Sequence, residues 1–150
     1  MPELVTALSE DLFNQLQNEP FVLLHTIDAD GSYPTSSAIS WVHAVERNRI
    51  RFAIDGRSRL VANMAANPDV SVTLFASETV QAVYGKASLV TEALENVPFK
   101  LACYEIEIEA IRDAMFYGAR LSALPTFEKT YDKRAADKLD GQVFAAMKKA

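Results

Sequence analysis

A largely apolar run, Ile50 to Ile54, stops at Asp55-Gly56-Arg57-Ser58-Arg59, and beyond Ser58 the apolar residues take up helical spacing. This junction constrains the fold more than any other segment. The residues before it, from Phe21, and those beyond Pro68 read as strands, so the chain must build a sheet with one helix inserted midway. The junction also has the chemistry of an anion cradle. A strand that ends at a glycine, a hydroxyl at the N-cap and an arginine on either side bring together backbone N–H groups, the positive end of the helix dipole and guanidinium donors. Phosphate is the natural guest for such a set. The same residues also describe an ordinary capped helix with two solvated arginines, because serine is a favoured N-cap anywhere.

The remaining composition narrows the classes. At 150 residues with 49% apolar content, the chain is expected to form one domain, residues 1–150, around a packed core. No stretch approaches the roughly 20 apolar residues of a membrane span, and no basic segment followed by an apolar block opens the chain, so neither membrane insertion nor secretion is indicated. A cytoplasmic location is expected. Cys103 is the single cysteine, which excludes an internal disulfide and any thiolate metal cluster. His25 and His43 have no partner at metal-ligand spacing and read as structural histidines. With a net charge of −5 and no basic block, nucleic acid is not an expected partner.

The N-terminal segment reads as a short helix. Ser9 suits its N-cap, Glu10 and Asp11 its first turn, and Leu8 with Phe13 a hydrophobic staple; Leu12, Phe13 and Leu16 give one apolar face, and Pro20 ends it. Phe21 to Ile27 reads as a first strand, and Asp28-Ala29-Asp30-Gly31 as a tight turn. A second strand is expected from Ser32 to about Val45, then a turn at Glu46-Arg47-Asn48, then a third strand from Arg49 to Ile54. The helix opened by Ser58 runs through Leu60, Val61 and Met64 to Asn67, where Pro68 stops it. Strands over Val70 to Phe75 and Val80 to Val90 follow.

Beyond Pro98 a long strand-like stretch follows, and its alternation changes phase. Phe99, Leu101 and Cys103 share one face, and then Tyr104, Ile106, Ile108 and Ala110 take over, which predicts a β-bulge near Cys103. Glu105, Glu107 and Glu109 on the opposite face would lie about 7 Å apart along a strand, too far for one metal to take all three, and read as a solvated face. Lys133 to Lys148, with Ala135, Leu139, Val143 and Met147 four apart, reads as an amphipathic helix weakened by Gly141. The expected fold class is therefore mainly β: six antiparallel strands closed or nearly closed into a small barrel, a helix inserted after the third strand, and helices at both termini.

The order of these elements, together with several short runs, resembles the pyridoxamine 5'-phosphate oxidase-like, FMN-binding split-barrel family. The runs are the Asp30-Gly31 turn, Ser36-Ser37-Ala38-Ile39-Ser40-Trp41, Phe52-Ala53-Ile54-Asp55-Gly56-Arg57-Ser58-Arg59, Asn67-Pro68-Asp69-Val70-Ser71-Val72 and Gly85-Lys86-Ala87, within about residues 8 to 115. The resemblance implies a six-stranded split barrel that forms a homodimer, with a flavin in each of two clefts between subunits. It places the flavin phosphate against Arg57, Ser58 and Arg59, and the isoalloxazine ring along the backbone of Ser37, Ala38, Ile39 and Ser40 and of Phe52, Ala53 and Ile54. The small side chains of the Thr35 to Ser40 stretch are compatible with close approach of a flat ring.

The chain also departs from that pattern. Ser36 stands where the oxidases carry a phosphate-binding arginine, and Leu60 where they carry a lysine; each charge-assisted hydrogen bond lost costs roughly 1.5–3 kcal/mol unless another group such as Arg57 substitutes. The oxidases' arginine- and tryptophan-containing tail, which shapes their vitamin pocket, is absent, so oxidation of pyridoxamine phosphate is not expected. Phe116, Tyr117 and Arg120 read either as a second-subunit wall over the ring or as a hinge or packing segment. The resulting expectation is an FMN-binding oxidoreductase acting on a small molecule, with FAD, haem or deazaflavin as other ligands. The alternatives are a non-catalytic binding or carrier protein of the same fold, in stress or redox responses, or an interaction module that has lost its ligand.

Overall fold

The computed structural model describes residues 4–76 and 78–150. Strands β1 (Val22–Ile27), β2 (Pro34–Ile39), β3 (Val42–Glu46), β4 (Arg49–Asp55), β5 (Asp69–Ala76), β6 (Thr79–Thr91) and β7 (Leu101–Asp113) form one sheet in the order β2-β1-β5-β6-β7-β4-β3. Every pairing is antiparallel. Helices α1 (Glu10–Gln15), α2 (Arg59–Ala66) and α3 (Lys133–Lys149) flank it.

The expected six-stranded barrel is thus corrected on two counts: the described residues form seven strands, and their sheet is not closed. The stretch read as one strand from Ser32 to Val45 is two, broken at Ser40-Trp41, where the Val42 N–H donates to the Ser40 carbonyl (2.9 Å) instead of to a neighbouring strand. This break sends the chain from one edge of the sheet, β2, to the other, β3. The sheet therefore bends until its two edges are joined by a two-residue link, yet no ladder connects them.

The α1 segment bridges edge strand β3 and interior strand β5. Ser9 caps it by accepting from the Leu12 N–H (3.2 Å), as its sequence suggests. The Leu8 N–H donates to the Arg47 carbonyl (2.6 Å), and Gln17 Nε2 donates to the Ala44 carbonyl of edge strand β3 (2.8 Å). On the far side, Gln15 Nε2 donates to the Phe75 carbonyl (2.6 Å). Leu8, Leu12 and Leu16 are buried in the main core with Phe52, Ile106, Leu74 and Val72. Each such leucine contributes roughly 1.5–3 kcal/mol of burial, which is why six helical residues suffice to hold this segment in place.

A second core lies on the opposite face of β4 and β7. There Ala53, Leu101 and Cys103 pack beneath Val143, Ala146 and Met147 of α3. This explains the apparent phase change near Cys103. Strand β7 keeps a continuous register against β4 through Ala53↔Cys103 and Phe52↔Tyr104. Leu101 to Tyr104 are all buried because α3 covers one face of β7 and the main core the other. A register shift does occur at this level, but between Leu89 and Thr91 on β6.

The polar contacts of α3 are also specific. Trp41 Nε1 donates to Asp140 Oδ1 (2.9 Å), and Lys129 Nζ bridges Glu19 (2.9 Å) and Asp140 (3.4 Å). Arg51, paired with Glu105 (3.1 Å), donates through Nη1 to the carbonyls of Met147 (2.8 Å) and Ala150 (2.6 Å). A guanidinium at the carbonyl end of a helix satisfies groups that have no intrahelical partner and complements the dipole. Glu105 is thus half-buried in ion pairs, whereas Glu107 and Glu109 are exposed. His43, opposite Arg51 on β3, is buried with its Nδ1 lacking a hydrogen-bond partner among the described residues. Burial, then the positive charges of Lys148 and Arg51, lower its pKa from 6.5. His25, by contrast, has a partner in Thr73 Oγ1 (2.8 Å).

Candidate functional site

The junction singled out in the sequence lies where β4 ends and α2 begins. Gly56 continues the β4–β7 ladder, donating its N–H to the Lys100 carbonyl (3.1 Å). The Arg57 N–H then bonds Asp55 Oδ1 (2.8 Å), the Ser58 N–H the Asp55 carbonyl (2.9 Å), and the Leu60 N–H the Ser58 side-chain oxygen (3.2 Å). The Val61 N–H bonds the Ser58 carbonyl (3.1 Å). From Gly56 to Val61, then, Arg59 alone has a main-chain N–H left over by these bonds. Charge for an anion must come mainly from side chains.

Both guanidiniums project into solvent, Arg57 with its side chain 91% exposed and Arg59 with its side chain 82% exposed. Each already has an acidic partner. Arg57 is bidentate to Asp55 (3.2 and 3.0 Å), and hydrogen bonds from Arg57 hold the Asp55 carboxyl down to about 2. Arg59 Nη2 reaches both oxygens of Asp28 (2.9 and 3.0 Å), at the end of β1. The Arg57–Asp55 pair is exposed and contributes about 0–1 kcal/mol, while the Asp28 side chain is only 15% exposed; both guanidiniums are themselves open to solvent, so a phosphate dianion could reach them beside or in place of their carboxylates. On that basis the residues present fit a phosphate.

Asp28 is held in place by a buried polar network that sequence reading does not reveal. Asn63 of α2, 2% exposed, accepts from the Ala29 N–H (2.9 Å) and donates to Thr26 Oγ1 (3.1 Å). Thr26 Oγ1 in turn lies 2.6 Å from Thr35 Oγ1 across the β1–β2 pair. Asn63 thereby fixes the β1–β2 turn against α2 and fixes the distance between Asp28 and Arg59. In the sequence it is one more polar residue on an amphipathic helix; only the tertiary fold brings Thr26 within its reach.

The expected ring-binding residues fall into two groups. Ser37, Ala38 and Ile39 lie on edge strand β2, opposite Leu24, Leu23 and Val22 of β1. Phe52, Ala53 and Ile54 lie on β4, near the other end of the sheet order, and all three side chains are buried: Phe52 and Ile54 in the main core, Ala53 under α3. Only main chain from this second group could face a flat ligand. The β2–β3 link brings the groups together, because the Ala53 N–H donates to the Trp41 carbonyl (2.9 Å) beside Ser40, whose hydroxyl donates to Glu19 (3.3 Å). Ser37 to Ser40 also leave one edge of β2 without a strand partner. Phe116, Tyr117 and Arg120 lie on the exposed segment beyond β7, with Arg120 near Glu78 (3.7 Å).

Lys100, also absent from the sequence reading, lies on the wall of the junction. A Cβ built on Gly56 would meet its Cγ at 3.2 Å and Cδ at 3.4 Å, so the lysine stem lies across that glycine. A separate cavity of about 480 Å³, lined by Leu94, Asn96, Gln142, Ala146 and Lys149, separates α3 from the β6–β7 connection and is distinct from the junction. Among the described residues, no group of three or more His, Cys, Asp or Glu side chains could hold a metal, and no helix is long and apolar enough to cross a membrane.

The family model described as pyridoxamine 5'-phosphate oxidase matches residues 8–122. The chain belongs to the pyridoxamine 5'-phosphate oxidase family. The match spans α1 to β7 and leaves α3 outside it. Several solved structures share this family fold. HupZ of Group A Streptococcus superposes with a TM-score of 0.61 at 14% identity, over 77% of this chain and 99% of that one. HutZ, the heme storage protein of Vibrio cholerae, gives 0.55 at 16% identity, over 71% of this chain and 94% of that one. An FMN-binding protein from Syntrophomonas wolfei gives 0.54 at 18% identity, over 71% of this chain and 83% of that one. At these identities the likeness shows the fold. A search of curated proteins finds no match.

Proposed function

We propose that this family member binds FMN as a homodimer and acts as an oxidoreductase on a small molecule. The observation that carries the reading is the pair of exposed guanidiniums on either side of the Ser58 N-cap, within a chain that the family model matches from residue 8 to 122. Arg57 and Arg59 would hold the phosphate, with the Arg59 N–H as the main-chain donor. The main chain of Ser37, Ala38, Ile39 and Ser40 and of Phe52, Ala53 and Ile54 would line the ring. When bound, the flavin supplies hydride and electron transfer; the protein's part is to fix the ring, exclude water and tune it through hydrogen bonds. Such chemistry needs no side-chain acid or base, so a catalytic constellation is not required at this site.

The experiment is an FMN titration followed by fluorescence quenching and by thermal unfolding. Wild-type protein is expected to saturate and to melt at a higher temperature with FMN, because a ligand that binds only the native state raises its stability. Arg59→Ala is expected to weaken binding about tenfold or more. Absence of saturable binding, or identical affinity in Arg59→Ala, would refute the assignment. A carrier reading is favoured by the ion pairs of both arginines, since Asp28 and Asp55 compete with a phosphate. It predicts binding with no acceleration of flavin reduction by nicotinamide donors beyond that of free flavin. Sedimentation at micromolar concentration tests the dimer.

A further inference from the structure

We propose that Lys100 is a phosphate-binding cation of this site, an inference that rests on the FMN reading and adds to it a residue from a different strand. The two arginines of the junction are each neutralised locally, Arg57 by Asp55 and Arg59 by Asp28, so the four side chains together carry no net charge. Lys100 belongs to neither pair and has no carboxylate partner among the described residues. It is also exposed, so its ammonium is free to meet a solvent-borne anion.

Its placement follows from the sheet. The pairs Ile54↔Ala102 and Phe52↔Tyr104 put these side chains on the main-core face of β4 and β7, the face against which Leu60 and Met64 of α2 pack. Side chains alternate along a strand, so Lys100, two residues before Ala102, and Gly56, two residues after Ile54, belong to that same face. The Gly56 N–H to Lys100 carbonyl bond confirms that these two residues are neighbours, and the lysine's Cγ and Cδ lie over the glycine. The ammonium, two bonds beyond Cδ, is thus carried on the α2 side of the sheet, next to the segment that holds Arg57 and Ser58. Any Cβ at position 56 would crowd the lysine stem, with 3.2 Å to Cγ.

A lysine ammonium is a compact charge on a flexible stem, suited to following a phosphate as a point charge while the planar guanidiniums chelate it. Binding then does not require both arginines to leave their carboxylates. The net positive charge that attracts the dianion comes from Lys100.

The test is a parallel titration of FMN and of riboflavin, which has the same ring system without the phosphate, into wild type, Lys100→Gln and Lys100→Arg, read by calorimetry or quenching. The expected result is an FMN affinity about tenfold lower in Lys100→Gln, largely restored in Lys100→Arg, with riboflavin affinity unchanged in all three. A smaller dependence of FMN affinity on salt in Lys100→Gln is the second expected sign. Equal FMN affinity in wild type and Lys100→Gln would overturn the role of Lys100 while leaving FMN binding in place. An equal fall for FMN and riboflavin would also overturn it, by showing that the lysine supports the loop rather than the phosphate. Wild-type protein that binds neither flavin would overturn the FMN reading itself. Since the side chain is exposed, apo variants should melt with the wild type, which separates loss of binding from loss of fold.

Discussion

Replacing Gly85 with alanine puts a Cβ 2.2 Å from the Glu107 carbonyl oxygen and 2.9 Å from Ile106 Cγ2. The ordinary contact begins at 3.4 Å, so the backbone contact is short by more than 1 Å, and neither atom can yield cheaply. Glu107 is paired with Arg49 of β4 on its other side, and Gly85 with Val70 of β5, so moving either strand strains a second ladder. The close approach occurs where the β6–β7 register shifts between Tyr84 and Gly85. Overpacking against movable side chains costs about 1–3 kcal/mol, and a disturbed ladder hydrogen bond adds about 1. Against this, alanine restricts the unfolded chain and returns roughly 0.4–1 kcal/mol. Because the clash is with backbone rather than a movable side chain, the upper end of the overpacking range applies, and the net expectation is a loss of about 3 kcal/mol, or a melting temperature lower by about 6–12 °C for a chain of this size. Gly141→Ala supplies the opposite sign: it lies in α3 with nothing within 4 Å of a built Cβ, and is expected to stabilise by about 0.5–1 kcal/mol. Calorimetric melting of both variants is the assay. A Gly85→Ala protein that melts within about 2 °C of wild type would refute the argument that the β6–β7 backbone is immovable there.

Two further predictions concern buried polar groups. His43 has its pKa lowered in the folded protein, so between 6.5 and that lowered value the unfolded chain binds the extra proton and stability falls as pH falls, by up to about 1.4 kcal/mol per pH unit. Urea unfolding at pH 7.5 and 5.5 should show this loss in wild type and a smaller one in His43→Leu; equal slopes would show that another group titrates. Asn63→Ala leaves the Ala29 N–H and Thr26 Oγ1 without this partner and is expected to cost about 2–3 kcal/mol. It should also raise amide exchange in the β1–β2 turn, and unchanged exchange there would show that the turn does not depend on α2.

Much of this fold is legible in the sequence where local chemistry decides it. Ser9 and Ser58 cap the helices they precede, Pro68 follows the end of α2, and the core alternation of Val70, Val72 and Leu74 survives intact. What fails has a physical reason. The break at Ser40-Trp41 carries no glycine or proline, and its bend exists only because β2 and β3 pair at opposite ends of the sheet. The phase change near Cys103 is real as a hydrophobic pattern, but its cause is a helix more than 30 residues downstream that covers the second face of β7, which periodicity alone cannot distinguish from a bulge. At the junction, Arg57, Ser58 and Arg59 are visible as a motif. Asp28 and Lys100 are not, because each arrives from another element, and Asn63, on α2 itself, gains its role only when the fold brings Thr26 and Ala29 to it.

Cys103 is 0% exposed at the seam between the sheet and α3, and burial pushes its thiol up to about 11. As the single sulfhydryl of the chain, it makes the molecule its own clock. A thiol reagent added to the native protein must wait for the layer above β7 to part, so where labelling outpaces closing, its rate is the rate of that opening. Where closing outpaces labelling, the ratio of the labelling rate to the rate for the freely exposed thiol gives the free energy of the opening, at one known atom.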